Sequence, residues 1–208
     1  MILFLIFVGS YLLGSIPFGV FVAKSKGIDI TKIGSGNIGA TNVHRVLGWK
    51  AGIPVMILDI AKGLVPPLVV RALAIAQGPL TVVDVAFLAG IVAVLGHCFS
   101  IFLGFKGGKG IATILGAAIG ATPIIAAIGA GIFAVLYATT RYVSVASIVA
   151  VIAATAAALF LRYDALIVSA YVAIAFFIIY KHRANIRRLL RGEEPRTSFK
   201  GGEKRGEA

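Results

Sequence analysis

The sequence predicts an all-α, polytopic integral membrane helix bundle with about seven transmembrane segments, one of them short or broken. Three observations support this: 59% of the 208 residues are hydrophobic, the mean hydropathy is +1.00, and only 13% are charged. A soluble domain of this size could not bury so much apolar surface, and a disordered chain would be far more polar. The single cysteine, Cys98, excludes a disulfide scaffold and a cysteine-rich metal site. We therefore expect one membrane-embedded domain over residues 1–200, followed by a mobile tail at 201–208.

Six long apolar stretches are candidates for spanning helices, each of which needs about 20 residues. They lie at 2–23, 51–76, 80–103, 111–140, 142–161 and 165–180. The first lacks the basic start of a signal peptide and is too long for one. The fourth would measure about 45 Å as one straight helix, which exceeds the hydrocarbon core. We expect it to break at residues 120–123, Gly-Ala-Thr-Pro, after a short or distorted segment.

The basic residues indicate how often the chain crosses the membrane. The whole net charge of +12 falls on residues 24–50, residues 104–110, Arg141 and residues 181–208. Cytoplasmic loops are rich in Lys and Arg, and these segments share one side only if the 111–140 stretch crosses twice. The sequence thus predicts an external N-terminus, a cytoplasmic C-terminus and no nucleic-acid partner. The simpler alternative is that these charges only orient the helices and contact anionic lipid.

The first basic loop has a composition that suits an oxyanion. Residues 34–45 read Gly-Ser-Gly-Asn-Ile-Gly-Ala-Thr-Asn-Val-His-Arg. Glycines let successive amide N–H groups converge on one point, a helix starting near Gly39 would add its dipole, and an arginine offers phosphate a planar fork. The alternative is a flexible polar connector. We expect phosphate or carboxylate binding by Ser35, Gly36, Asn37, Thr41, Asn42 and Arg45.

A second loop alternates glycine with lysine and predicts another phosphate cradle. Its candidates are Gly104, Lys106, Gly107, Gly108, Lys109 and Gly110. It is not a Walker A motif, because Leu103 stands where that motif needs glycine and Gly110 where it needs Ser or Thr, so nothing indicates nucleotide hydrolysis. His97, near the end of the third span, is by itself more typical of a hydrogen-bonded structural residue than of a general base.

Other polar positions lie close to the same side. If residues 180–194 are helical, His182 and Asn185 share one face, although a basic amphipathic helix resting on anionic lipid fits this segment equally. Arg141 and Ser144 enter the next span. Asp59 and Lys62, at i and i+3 in the second span, are expected to pair with each other and to be structural. No clustered metal site is apparent in the sequence.

The chain closely resembles the acyl-phosphate-dependent glycerol-3-phosphate acyltransferases of bacteria over essentially its whole length. The resemblance rests on three motifs in the same order: 34–45, 96–113 and 182–193. It implies a multi-pass enzyme of the inner membrane with its site at the cytoplasmic side. The implied reaction moves a fatty acyl group from acyl phosphate to the sn-1 hydroxyl of glycerol 3-phosphate, which gives lysophosphatidic acid and phosphate. This is the first step of phospholipid biosynthesis, and it uses no cofactor and neither acyl-CoA nor acyl carrier protein.

The resemblance also implies roles for individual residues. It makes Ser35 and Arg45 essential, links His182 and Asn185 with activity, and gives Glu193 a structural role. It assigns the second loop to glycerol 3-phosphate and adds three more substrate-binding positions, His97, Arg141 and Ser144.

The mechanism is narrowed by what the sequence lacks. In the common acyltransferase dyad an aspartate follows a histidine by five residues, but the corresponding positions here are Trp49, Phe102 and Arg187. Acyl phosphate is already activated, so we expect direct attack by the glycerol hydroxyl, with the proton passing to the phosphoryl oxygens or to His182. In this scheme Ser35 orients substrate and forms no acyl-enzyme.

Two rival functions remain open at the level of sequence. A transporter for a phosphorylated anion would place its anion-binding groups near the bilayer midplane, whereas the basic clusters here lie at one surface. A non-catalytic scaffold that recruits partners through its basic tail would leave the Gly/Ser/Asn pattern of residues 34–45 unexplained.

Overall fold

The computed structural model describes residues 1–197, and within this range the regular secondary structure is helical. The elements are α1 (Ile2–Ser15), α2 (Phe18–Lys24), α3 (Ala40–Leu47), α4 (Trp49–Ala72), α5 (Val82–Cys98), a 3₁₀ turn (Ile101–Leu103), α6 (Ile111–Ala121), α7 (Pro123–Thr140), α8 (Val143–Phe160), α9 (Ala165–Lys181) and α10 (Arg183–Leu190). The all-α prediction is confirmed. The tail predicted at 201–208 lies outside the described residues.

Five helical segments of the described chain are long and apolar enough to cross a membrane. They are Ile2–Lys24, Trp49–Ala72, Val82–Leu103, Pro123–Thr140 and Val143–Phe160. A sixth candidate is α9 together with α10, which bends away from it by 57°. Large apolar side chains on these helices face outward, among them Phe4, Phe160 and Phe176. Such broad apolar exposure is typical of a protein that lipid surrounds.

The expected break in the fourth apolar stretch is confirmed. Helix α6 has only 11 residues and ends at Ala121, and α7 begins at Pro123. A residue before proline is disfavoured in helical geometry, and proline itself suits the first position of a new helix. Thr122 accordingly has φ −134 and ψ 66. The chain turns here between two helices, so the 30-residue stretch does not form one long span.

The short helix α6 lies in the middle of the bundle because glycines let it approach α4 closely. A Cβ on Gly63 would lie 2.0 Å from the Thr113 carbonyl oxygen, and one on Gly116 would lie 2.0 Å from the Ile60 carbonyl oxygen. Any side chain at these positions would push the two backbones apart. This packing places the N-terminus of α6 among the polar loops.

A buried apolar cluster packs against the first basic loop. Val20 of α2, Val43 of α3 and Val55 of α4 pack together with Ile30 and Ile38 of the loop. A second and larger cluster joins α4 to α9 away from that loop and includes Phe87, Ile125 and Tyr171. The loop is therefore packed against buried apolar side chains, which fix the positions of its polar groups.

Candidate functional site

A cavity of about 290 Å³ lies where the polar loops meet the helices α6, α7 and α8. Loops and helices contribute polar side chains: Ser35, Asn37, Thr41, Asn42, Arg45, Asp59, His97, Lys109, Ser144, His182 and Asn185. Farther along the helices its walls are apolar, with both small and larger side chains: Ile114, Leu115, Ala118, Ile125, Ala126, Gly129, Ala130, Phe133, Ala150, Val151 and Ala154. The cavity thus joins a polar end to an apolar groove, which is the shape an amphiphile requires.

Asn42 holds the first loop in place. Its side chain is 2% exposed, and its Nδ2 donates to the carbonyl oxygens of Ile33 at 3.0 Å and Asn37 at 2.9 Å. Its Oδ1 accepts from the Ser35 N–H at 2.9 Å. The amide group of Asn42 is thus hydrogen-bonded on both sides within the loop, and the residue also lines the cavity. A contact between Asn42 and substrate stays a prediction.

The start of α3 faces the cavity, as the sequence predicted. Asn37 Oδ1 accepts the Gly39 N–H at 2.8 Å, and α3 begins at the next residue, Ala40. Gly39, Ala40 and Thr41 line the cavity. Amide groups in the first turn of a helix lack helical acceptors and attract anions. One turn along, Arg45 lines the same cavity and adds a positive charge.

The second loop meets the cavity through only part of its sequence. Of the six predicted positions, Lys109 and Gly110 line the cavity, whereas Lys106 is exposed to solvent and lines none of it. The N–H groups of Gly107 and Gly108 donate to the Cys98 and His97 carbonyl oxygens, at 3.2 and 3.1 Å. Their amides are therefore used within the protein. The N-terminal residues of α6, Ile111 and Ala112, take their place at the cavity.

The two central glycines of this loop are required for close packing. A Cβ on Gly107 would lie 2.0 Å from the His97 carbonyl oxygen, and one on Gly108 would lie 2.2 Å from His97 Nε2. The sequence predicted glycines that free amide groups for phosphate. In the structure these glycines let the loop pack closely on the end of α5, next to Lys109 at the cavity, and phosphate binding by them stays a prediction.

A hydrogen-bond network connects Lys109 to the C-terminal segment. Lys109 Nζ donates to Asn185 Oδ1, and Asn185 Nδ2 donates to Glu194 Oε1 at 2.7 Å. The same carboxylate accepts from Ser144 Oγ at 2.8 Å and from Arg188 Nε at 2.8 Å. Burial raises the pKa of Glu194, but the hydrogen bonds from Asn185, Ser144 and Arg188 outweigh it and hold that pKa below its usual range. The network joins the second loop, α8 and α10.

Glu194 is a residue that sequence reasoning missed. It is 8% exposed, whereas its neighbour Glu193, expected to be the structural glutamate, is exposed to solvent. Both follow Gly192, whose positive φ of 72° turns the chain after α10. Nothing in the local pattern tells which of two adjacent glutamates points inward, because that depends on where the turn directs the chain.

His182 lies just past the end of α9, and its side chain is buried beside the cavity. Its Nδ1 lies 2.8 Å from the Ile178 carbonyl oxygen. Because a carbonyl oxygen only accepts, Nδ1 bears the proton and Nε2 is left as an acceptor. Burial, with the nearby Lys109 charge, lowers the pKa of His182 to about 4. The imidazole is therefore neutral at physiological pH.

The expected pairing of Asp59 with Lys62 is confirmed. Lys62 Nζ lies 2.9 Å from Asp59 Oδ1 and donates to the Ile16 carbonyl oxygen at 2.9 Å. His97 Nδ1 is 3.6 Å from the same carboxylate oxygen. All three side chains are buried, and those of Asp59 and His97 line the cavity. The cluster connects the turn after α1 with α4 and α5.

The remaining predicted positions are Arg141, Ser144 and Gly36. Ser144 lines the cavity. Arg141 does not: it ends α7 with a positive φ of 63°, and its carbonyl oxygen accepts the Thr197 N–H at 3.0 Å. Gly36 also lies off the cavity and provides a positive φ of 67° for the loop turn.

Known proteins match this chain in sequence and in structure. The model of a family described as glycerol-3-phosphate acyltransferase matches residues 4–192. A glycerol-3-phosphate acyltransferase of Geobacter sulfurreducens is 46% identical over 187 residues, which are 90% of this chain and 93% of the relative. Two crystal structures of PlsY, an integral membrane glycerol 3-phosphate acyltransferase, align with TM-scores of 0.87 and 0.84. Both are 41% identical and cover 95% of this chain and 96% of theirs; one is the glycerol 3-phosphate form and the other the lysophosphatidic acid form.

Proposed function

Because this chain belongs to the glycerol-3-phosphate acyltransferase family, we propose that it transfers a fatty acyl group from acyl phosphate to the sn-1 hydroxyl of glycerol 3-phosphate. The products are lysophosphatidic acid and inorganic phosphate, in the first step of phospholipid biosynthesis. Neither acyl-CoA nor acyl carrier protein acts as donor, and no cofactor is needed. The observation that best supports this is a cavity that continues from a cationic polar end into an apolar groove.

The polar end offers two helix N-termini, each with a cationic side chain, that suit the two phosphates. They are the N-terminus of α3, with Arg45, and the N-terminus of α6, with Lys109. A helix N-terminus with a cationic side chain favours a phosphate in each case. Resemblance to the family favours glycerol 3-phosphate at Lys109, which leaves the acyl phosphate beside Arg45 and Ser35. The two reactants would then meet at the boundary between the polar end of the cavity and its apolar groove.

The chemical step is a direct displacement at the acyl carbonyl. The glycerol hydroxyl oxygen attacks the carbonyl carbon and forms the ester bond, and the bond from that carbon to the phosphate oxygen breaks. The bonding pair leaves with phosphate. With its pKa lowered to about 4, His182 is a weak base. The departing group is inorganic phosphate, and the oxygen that gains the bonding pair is more basic than a phosphate monoester, whose second pKa is about 6. The proton of the attacking hydroxyl therefore passes to the departing phosphate. His182 Nε2 then serves to orient the hydroxyl.

Ser35 positions the acyl phosphate and forms no covalent intermediate. To test this, the protein is incubated with radiolabelled acyl phosphate without glycerol 3-phosphate, and the denatured protein is examined by mass spectrometry. We expect no acyl adduct on Ser35. An ester at this serine that disappears when glycerol 3-phosphate is added would replace direct attack by a two-step mechanism.

A donor comparison tests the reaction itself. Purified protein receives labelled glycerol 3-phosphate with palmitoyl phosphate or with palmitoyl-CoA. We expect lysophosphatidic acid only from palmitoyl phosphate. Equal product from palmitoyl-CoA would overturn the donor assignment, and no product from either donor would return the anion transporter to consideration.

For its place in the cell, we propose the bacterial inner membrane, with seven crossings, an external N-terminus and the cavity's polar end at the cytoplasmic side. The positions of the basic loops support this, because positive residues concentrate on the cytoplasmic side. A membrane-impermeant maleimide on intact spheroplasts tests it at three exposed positions. Ala76→Cys and Leu161→Cys should be labelled, and Lys26→Cys should be protected. Labelling of Ala76→Cys without Leu161→Cys would mean that residues 111–140 cross only once.

A further inference from the structure

Tyr171 is the residue of α9 that lies at the apolar groove. This side chain lines the cavity, although the residue is only 2% exposed. Its hydroxyl lies 2.7 Å from Thr122 Oγ1, the residue between α6 and α7. Thr122 is itself fully buried. The break in the fourth apolar stretch thus provides the polar partner that holds the tyrosine ring at the groove.

Behind Tyr171 the bundle is filled. The Phe87 ring packs against it with 4.9 Å between ring centroids. Val85, Ala158 and Ile167 belong to the same buried cluster and have no exposed surface. A chain that reached the tyrosine could extend no farther without displacing packed side chains, which is costly in a close-packed interior.

The walls of the groove differ from its end. On α6, α7 and α8 they combine alanine and glycine with larger aliphatic side chains such as Ile114, Leu115 and Val151. The lining residues of α8 extend from Val143 to Ala154, about 16 Å of helix. Side walls contact short and long chains alike, whereas the end contacts only a chain long enough to reach it.

We propose that Tyr171, held by Thr122, is the closed end of the acyl groove and sets the longest acyl chain that the protein transfers efficiently. This inference rests on the proposed function. A chain that fits gains apolar contact up to the ring, and a longer one must bend or withdraw its reacting carbonyl from the polar end. We therefore expect kcat/KM to differ between acyl donors of different chain length.

The test compares lauroyl, palmitoyl and stearoyl phosphate as donors to purified wild-type protein and variants. In Tyr171→Ala we expect the ratio of kcat/KM for stearoyl over lauroyl phosphate to rise at least about tenfold, because one methylene in an apolar pocket already changes kcat/KM by about 10–200-fold. Tyr171→Phe is the matched variant: it keeps the ring, which still packs on Phe87, and loses only the hydrogen bond to Thr122, so the ratio should rise much less than in Tyr171→Ala.

A second variant makes the opposite change, because it adds a larger side chain to the groove. Ala126 of α7 is buried, lines the cavity and follows Thr122 by one helical turn. Ala126→Leu should shorten the groove and lower the stearoyl-to-lauroyl ratio. Its control is Ala127→Leu, on the exposed face of the same helix, which should leave the ratio unchanged. This pair decides the question even if Tyr171→Ala does not fold.

The two proposals fail in different ways. A wild-type protein that transfers none of the three chains would overturn the proposed function. A wild-type protein that is active, with the same chain-length profile in Ala126→Leu and in any folded Tyr171→Ala, would overturn only the role of Tyr171. The acyl tail would then leave the cavity between helices into the bilayer.

Discussion

Asn185 donates a 2.7 Å hydrogen bond to the Glu194 carboxylate and accepts another from the Lys109 ammonium. Residues 109 and 194 are far apart in sequence, and this amide is the link between them. Helix α10 and the segment after it therefore orient the one lysine of the second loop that reaches the cavity. The position of that lysine depends on contacts at the end of the chain.

Glu194→Gln should lower kcat/KM for glycerol 3-phosphate by roughly 10- to 100-fold, since hydrogen bonds to charged groups contribute about 1.5–3 kcal/mol. The glutamine keeps the shape but removes the charge that holds Arg188 and Asn185. Steady-state kinetics in detergent or nanodiscs would measure the change. Glu193→Gln is the control on the adjacent exposed residue and should behave as wild type. Equal losses in both variants would show that the network has no special role.

Activity should fall as the pH rises through about 8. Burial lowers the pKa of Lys109 to about 8, so the charged ammonium is present below that pH and is lost above it. The pH profile of kcat/KM for glycerol 3-phosphate reports the free enzyme, so it should show this loss at about pH 8. Bound phosphate favours the charged ammonium, so the same loss should occur at a higher pH in the profile of kcat. Lys109→Arg stays charged and should remove the alkaline limb. An unchanged limb in Lys109→Arg would assign it to another group.

Gly108→Ala should displace the second loop. Its Cβ would lie 2.2 Å from His97 Nε2 in a site with little freedom to move. We expect a lower Tm and a large loss of activity with normal membrane insertion. Gly131→Ala is the control, because a Cβ there meets nothing within 4 Å. A Gly108→Ala protein with wild-type activity would show that the loop does not need this close contact.

Arg45→Ala should lose most activity while the protein still inserts and folds. Removing one partner of a buried charge pair costs about 2–5 kcal/mol, and we expect the loss in KM for acyl phosphate. Arg45→Lys keeps the charge without the planar fork and should recover only part of the activity. Lys50→Ala, on the exposed start of α4, should have no effect. Wild-type kinetics in Arg45→Ala would place the acyl phosphate elsewhere.

Features set by neighbouring residues were predictable from the sequence. Apolar composition predicted the helical class, the Thr122-Pro123 step predicted the break between α6 and α7, and the i, i+3 spacing predicted the Asp59–Lys62 pair. Glycine and serine around residues 34–45 also indicated a loop that leads into a helix N-terminus. Each depends on backbone preference or on residues within one helical turn.

Other features were decided only when distant segments packed together. Lys109 reaches the cavity and Lys106 does not, because the glycines between them seat on the end of α5. Glu194 lies inside and Glu193 outside, because the turn at Gly192 directs the chain back toward α8. Tyr171 lines the cavity and reaches Thr122 because α9 packs near the α6–α7 break. Composition and charge determined a basic, apolar membrane chain, whereas the directions in which its side chains point follow from contacts between helices far apart in sequence.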